Sequence, residues 1–261
     1  MISNNFLGIQ RIKIESSAKV SILKGQSFQI KVSGDDANKV KVTQSDNEID
    51  IQYSEPGSSG RNISIGGNFT GSVISGNRVV FQNVSSGGGK NISIINGEVY
   101  INGKRVNESG TVASDSTPPK QPVEIEIQCP DGLDIDCTLT GFGILGTFPE
   151  FNQARVTIKG DGEAGLQSRS GKFKISGSGD VNYKSLGGSL KASINGSGDI
   201  KASGEFDDVE ASINGSGNIV TSGTVNGDYD ADICGSGDIN HSGQIFGRKT
   251  KSISGIGSVK W

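Results

Sequence analysis

Four copies of one short turn decide the fold: Gly177-Ser178-Gly179-Asp180, Gly196-Ser197-Gly198-Asp199, Gly215-Ser216-Gly217-Asn218 and Gly235-Ser236-Gly237-Asp238. They begin 19, 19 and 20 residues apart, and a looser copy, Gly255-Ile256-Gly257-Ser258, follows 20 residues later. Toward the N-terminus the spacing finds Gly160-Asp161-Gly162-Glu163 and Gly141-Phe142-Gly143-Ile144, 17 and 19 residues before their successors. A fixed period of this size marks a solenoid, in which each turn buries its apolar side against the next.

The surroundings of the turn say which solenoid. Two residues before each first glycine stand Leu139, Ile158, Ile175, Ile194, Ile213, Ile233 and Ile253. Four residues after it stand Leu145, Ala164, Val181, Ile200, Ile219, Ile239 and Val259. Apolar residues recur at every second position, as in Tyr229, Ala231 and Ile233 against Asp228, Asp230 and Asp232, which is the period of a strand with one side inward and one in water. The glycines supply the sharp bend between the ladders. The pattern predicts an all-β protein, a single-stranded, right-handed parallel β-helix with rungs of about 19–20 residues.

Composition agrees with ordered turns rather than disorder. Glycine contributes 40 of 261 residues, about twice the usual share, yet the Ile and Val ladders are regular. A net charge of −3 with no basic stripe argues against nucleic-acid binding. Of Cys129, Cys137 and Cys234, Cys137 falls on the inward side of its strand as a buried thiol, and a Cys129–Cys137 bridge is an alternative. Neither a signal peptide at Met1-Ile2-Ser3-Asn4-Asn5 nor a membrane-spanning stretch is expected, so the chain either stays inside or has lost its leader.

Three segments are expected. Residues 1–55 read as an N-terminal β segment that forms the first rungs or caps them, with strands around Ile12-Ile14, Val20-Ile22, Phe28-Ile30-Val32, Val40-Val42 and Ile49-Ile51-Tyr53. Residues 56–122 read as a Gly/Ser/Asn-rich insertion. It holds short runs at Ile63-Ile65, Val79-Phe81, Ile92-Ile94 and Val99-Ile101, a β-hairpin across Asn96-Gly97, and a flexible stretch from Gly110 to Pro122. Residues 123–261 carry the β-helix repeats, and Trp261, in the column of Tyr183, Ala202, Thr221 and His241, suits an end cap.

Several motifs invite chemistry. Gly141-Phe142-Gly143-Ile144-Leu145-Gly146 matches GxGxxG after a predicted strand, but Thr147-Phe148-Pro149 follows where a dinucleotide site needs a helix, so it reads as a solenoid turn. No cofactor is expected. The one histidine, His241, has no visible triad partner and reads as a surface or end-cap residue. Rungs stack about 4.8 Å apart, so Asp180, Asp199, Asn218 and Asp238 form a column that either sits solvated, bonding local backbone, or holds a cation such as calcium. On the outward strand face Asp136 meets Arg155 and Lys191 meets Glu210, while Asp228, Asp230 and Asp232 project together as candidate acid and base of a carbohydrate-cleaving enzyme.

With these residues laid out, the repeated Ile194-Asn195-Gly196-Ser197-Gly198-Asp199-Ile200, its variants over 213–219 and 233–239, and the opening Phe6–Tyr53 resemble the head GIN domain of autotransporter adhesins. The resemblance covers residues 6–54 and 123–261 and implies a non-catalytic β-helical domain of bacterial envelope or secreted proteins. It supplies no catalytic residues to carry over. The resulting expectation is a binding or scaffold protein whose partner is an unidentified protein or glycan, or a second copy of itself. The alternatives are the carbohydrate-active enzyme and a self-assembling structural solenoid.

Overall fold

A computed structural model describes residues 8–54, 62–65, 90–95, 98–101, 104–105 and 121–261. The chain divides into two compact units, Met1–Ser54 with Gln121–Trp261, and Glu55–Lys120.

The first unit is built from β1 (Arg11–Ser16), β2 (Lys19–Lys24), β3 (Gln29–Ser33), β4 (Lys41–Ser45) and β5 (Glu48–Tyr53), then from a second set after the interruption. That set runs β10 (Glu124–Cys129), β11 (Asp134–Gly141), β12 (Ile144–Gly160), β13 (Glu163–Gly177), β14 (Asp180–Leu186), β15 (Leu190–Gly196) and β16 (Asp199–Phe206). It ends with β17 (Val209–Gly215), β18 (Asn218–Val225), β19 (Tyr229–Gly235), β20 (Asp238–Ile245), β21 (Lys249–Gly255) and β22 (Ser258–Lys260).

From β14 onward each strand pairs in parallel with the next strand but one, so every rung gives one strand to each of two sheets. The first sheet enters the Gly-Ser-Gly corner in the order β4, β5, β1, β11, the later halves of β12 and β13, β15, β17, β19, β21. The second leaves it in the order β3, β10, β2, the earlier halves of β12 and β13, β14, β16, β18, β20, β22. This is a parallel β-solenoid of about seven turns with no α-helix among the described residues. Between the sheets lies one apolar core that contains both aliphatic ladders apart from Ile253, which is exposed on the last rung.

Corner geometry explains the glycine columns. The first glycines, from Gly141 to Gly255, all have positive φ, for example +153° at Gly196. The second glycines do not, yet a Cβ on Gly198, Gly217 or Gly237 would come closer than 3.0 Å to the backbone oxygen of the glycine one rung below. The first demand is conformational and the second is rung spacing; both select glycine. A further bend at Gly204, Gly223 and Gly243, each preceded by serine, repeats the argument with φ between +120° and +145°.

The irregular 17-residue rung has a local cause. Gly146 pairs with Gly165 and Glu150 with Gln167, so Thr147, Phe148 and Pro149 of one rung face Leu166 alone in the next. Of these three residues Phe148 is exposed and Pro149 buried.

β1 and β2 form a rung in parallel register with β11 and β12, while β3 and β4 add antiparallel to β10 and β5. Parallel stacking therefore ends in an antiparallel strand on each sheet. β5 and β10, which flank β1 and β2 in the two sheets, are separated in the sequence by residues 55–120.

That second unit contains β6 (Asn62–Ile65), β7 (Lys90–Ile95), β8 (Glu98–Ile101) and β9 (Lys104–Arg105), an antiparallel sheet in sequence order. β7 and β8 pair antiparallel, with Ile95 opposite Glu98. Asn96-Gly97 themselves, the run Val79-Phe81 and the stretch 110–120 lie outside the described residues.

Candidate functional site

The outward side chains of the solenoid form columns whose residues repeat at rung spacing. At the corner, Asp180 Oδ1 accepts the Asp199 backbone N–H at 3.0 Å, and Asp199 Oδ1 accepts both the backbone and side-chain N–H of Asn218 at 3.0 Å. Asn218 Oδ1 accepts the Asp238 N–H at 3.3 Å, and Asp238 Oδ1 accepts the Ser258 amide at 2.8 Å and hydroxyl at 2.7 Å. The Ser258 hydroxyl and amide hold the Asp238 carboxyl below the usual range. Each acid in the column thus ties its own rung to the backbone of the next. No group of three or more His, Cys, Asp or Glu side chains among the described residues is arranged to hold a metal ion.

A second ladder runs along the corner before the first sheet. Asp208 Oδ1 accepts the Asp228 N–H at 2.8 Å, and Asp228 Oδ1 accepts the Arg248 N–H at 2.8 Å. Asp228 also receives the Arg248 guanidinium at 2.7 Å, and its carboxyl is held low, first by the Arg248 amide and then by that cation. Asp230 and Asp232 lie farther along β19, on its exposed face, and Asp230 accepts a hydrogen bond from the Thr250 hydroxyl. The three acids expected to act together are therefore split: one serves a corner ion pair and two stand on the open strand.

Of the cross-rung charge pairs, Lys191 bonds Glu210. Asp136 and Arg155 face each other in register, but no ion pair forms between them. The GxGxxG segment spans a corner and the start of β12 rather than opening a helix. A shallow depression of about 450 Å³ lies over the second sheet, bordered by Asn182, Lys184, Lys201, Ser203, Val220 and Ser222.

His241, expected at the surface or in an end cap, is not at the surface. It is buried inside the penultimate full rung, at 8% exposure, with Nδ1 2.9 Å from the Thr221 hydroxyl, which lies 2.9 Å from the Tyr229 hydroxyl. Nε2 is buried without a hydrogen-bond partner. Burial lowers the His241 pKa, the Gln244 backbone opposes this and the Lys249 ammonium adds to it. The Tyr229 phenol is pushed up to about 12 by burial against the Thr221 bond. Trp261 closes the stack 5.7 Å from Tyr229, with Lys251 Nζ 5.8 Å from its ring. All three cysteines are free thiols; burial pushes Cys129 up to about 12 and raises Cys137, and Cys234 is exposed.

The sequence reading missed the buried His241–Thr221–Tyr229 chain and the glycine column at 204, 223 and 243. The second had a signal, Ser203-Gly204, Ser222-Gly223 and Ser242-Gly243 at spacings of 19 and 20, overshadowed by the stronger repeat beside it.

Comparison with known proteins gives the same architecture. A putative adhesin from Bacteroides fragilis NCTC 9343 superposes with a TM-score of 0.55 at 16% identity, covering 98% of this chain and 94% of its own. A putative adhesin from Parabacteroides distasonis ATCC 8503 gives 0.51 at 12% identity, with coverage of 98% and 94%. No curated protein sequence matches. The family model described as "Putative auto-transporter adhesin, head GIN domain" matches residues 9–261, and the chain belongs to that family.

Proposed function

We propose that this chain is a non-catalytic binding module of the bacterial cell envelope, adhesin-like in presenting a rigid, regular face to a protein or glycan. The observation that carries this reading is the use made of its corner residues. The column from Asp180 to Ser258 bonds backbone from rung to rung, and the outward strand faces are left as an open grid of charged and hydroxyl side chains. The family and the adhesin names of its structural neighbours support the same role.

Hydrolysis by Asp228, Asp230 and Asp232 fits poorly. A general acid needs a raised pKa, and Asp228 is held low by the Arg248 amide and guanidinium. Display of the chain on a non-adherent bacterium tests the proposal: attachment to glycan-coated or matrix-coated surfaces is expected above the undisplayed control, and equal attachment by both strains would contradict it.

A further inference from the structure

We propose that the outward face of the first sheet at Arg155, Lys159, Lys172 and Lys174 binds an acidic polysaccharide, a sugar chain carrying carboxylate or sulfate groups. This rests on the reading of the chain as a binding module and names its ligand class.

The four cations sit on the neighbouring later halves of β12 and β13. Arg155 pairs with Lys172, Thr157 with Lys174, and Lys159 with Ser176. All four are exposed, and none has an ion-pair partner among the described residues. Lys172 also faces Lys191 on the next rung, whose ammonium is already taken by Glu210. The column therefore reads Arg155, Lys172, Lys191: like charges in consecutive rungs, which repel one another unless an anion lies among them. Elsewhere on this sheet cations meet carboxylates, as Arg11 does Glu48 and Asp134 and Lys13 does Asp50, while later rungs bring the acids Glu210 and Asp230 together. What sets this stretch apart is that its four neighbouring cations are all exposed and make no ion pair among the described residues, which leaves their charge available to an anion from outside the chain.

The geometry selects the ligand. From Arg155 to Lys159 the face runs four residues, about 13 Å at strand rise, and the two strands lie about 4.8 Å apart. The cations stand on exposed strand positions, which suits an extended polyanion lying along the rungs better than a small ion. Thr157 and Ser176 stand among them and offer hydroxyl groups to a sugar. Asp136 bounds the column on one side and Glu210 with Asp230 on the other, a flanking charge that repels a broad phosphate backbone such as duplex DNA.

The test uses the intact chain with polygalacturonate and dextran sulfate as ligands, neutral dextran and a DNA duplex as comparators, and equilibrium binding as the readout. Both acidic polymers are expected to bind, more weakly as salt is raised, and neutral dextran is not. Replacing Lys172 and Lys174 with Ser is expected to weaken binding about tenfold with an unchanged melting curve, because the side chains are exposed. Replacing Lys184 and Lys201 on the other sheet, as Lys184→Ser with Lys201→Ser, is expected to change it by less than about twofold. Equal loss from both double variants, or no loss from the first, overturns the assignment, as does DNA binding as tight as polygalacturonate. If the chain attaches to neutral glycans or matrix proteins but to neither acidic polymer, this inference fails while the binding-module reading stands.

Discussion

Single residues carry the fold at its corners. Gly198 is held by contact, since a Cβ there meets the backbone oxygen of Gly179, which cannot swing aside. Gly198→Ala is expected to destabilise the protein by about 3 kcal/mol or prevent folding. Gly146→Ala, at a glycine with nothing within 4 Å of the added methyl, is expected to be neutral or stabilising by up to about 1 kcal/mol. Chemical denaturation of the two variants checks the contrast. His241 makes a pH prediction. Its folded pKa lies below that of the unfolded chain, so the unfolded state takes up the proton first as acidity rises. Its contribution is full above about pH 6.5 and is lost as pH falls from there through the folded value. Because Trp261 is the only tryptophan and its ring lies 5.7 Å from that of Tyr229, which in turn stands 5.4 Å from His241, its fluorescence during acid titration reports the event, and His241→Phe is expected to flatten the curve. Under native conditions a thiol reagent is expected to modify Cys234 alone, with Cys129 and Cys137 reacting only after unfolding.

At the scale of the element, the Asp180–Asp238 column acts as a clamp between rungs. Removing one carboxylate, as in Asp199→Ala, leaves the Asn218 amide and side chain without their acceptor and is expected to cost about 1–3 kcal/mol, read from the melting curve. Calcium added to the intact protein is expected to leave that curve unmoved, since Oδ1 of each acid already accepts the amide above it. Much of this element was legible in the sequence, because period-two alternation and a fixed corner spacing both survive in one dimension. Ile194, Ile213 and Ile233 fall on their ladder by counting alone. The direction of a hydrogen bond between rungs does not show in spacing, so the same column was equally readable as a cation ladder. His241 shows the other limit: a lone histidine with no visible partner read as a surface or end-cap residue, and its burial against Thr221 depends on packing between rungs that spacing does not show.

For the solenoid unit as a whole, the two ends differ from the middle in ways that oppose stacking of copies. β3 and β4 close one end with antiparallel strands, and at the other Lys249 and Lys251 occupy positions that are Tyr229 and Ala231 one rung earlier. End-to-end association would bring those ammonium groups out of water at a cost that apolar contact does not offset. Sedimentation is accordingly expected to show a monomer at high concentration, with filaments as the contrary outcome. The interleaving of β1 and β2 between later strands was not legible, because it depends on pairing across more than a hundred residues rather than on any local pattern. No helix among the described residues is long and apolar enough to cross a membrane. The central claim is that this solenoid binds without cleaving. The most direct measurement incubates the purified chain with immobilised glycans and matrix proteins and assays both retained protein and released fragments. Retention with no fragments is predicted; fragments released by the wild type and abolished by substituting Asp228, Asp230 and Asp232 with Asn would contradict it.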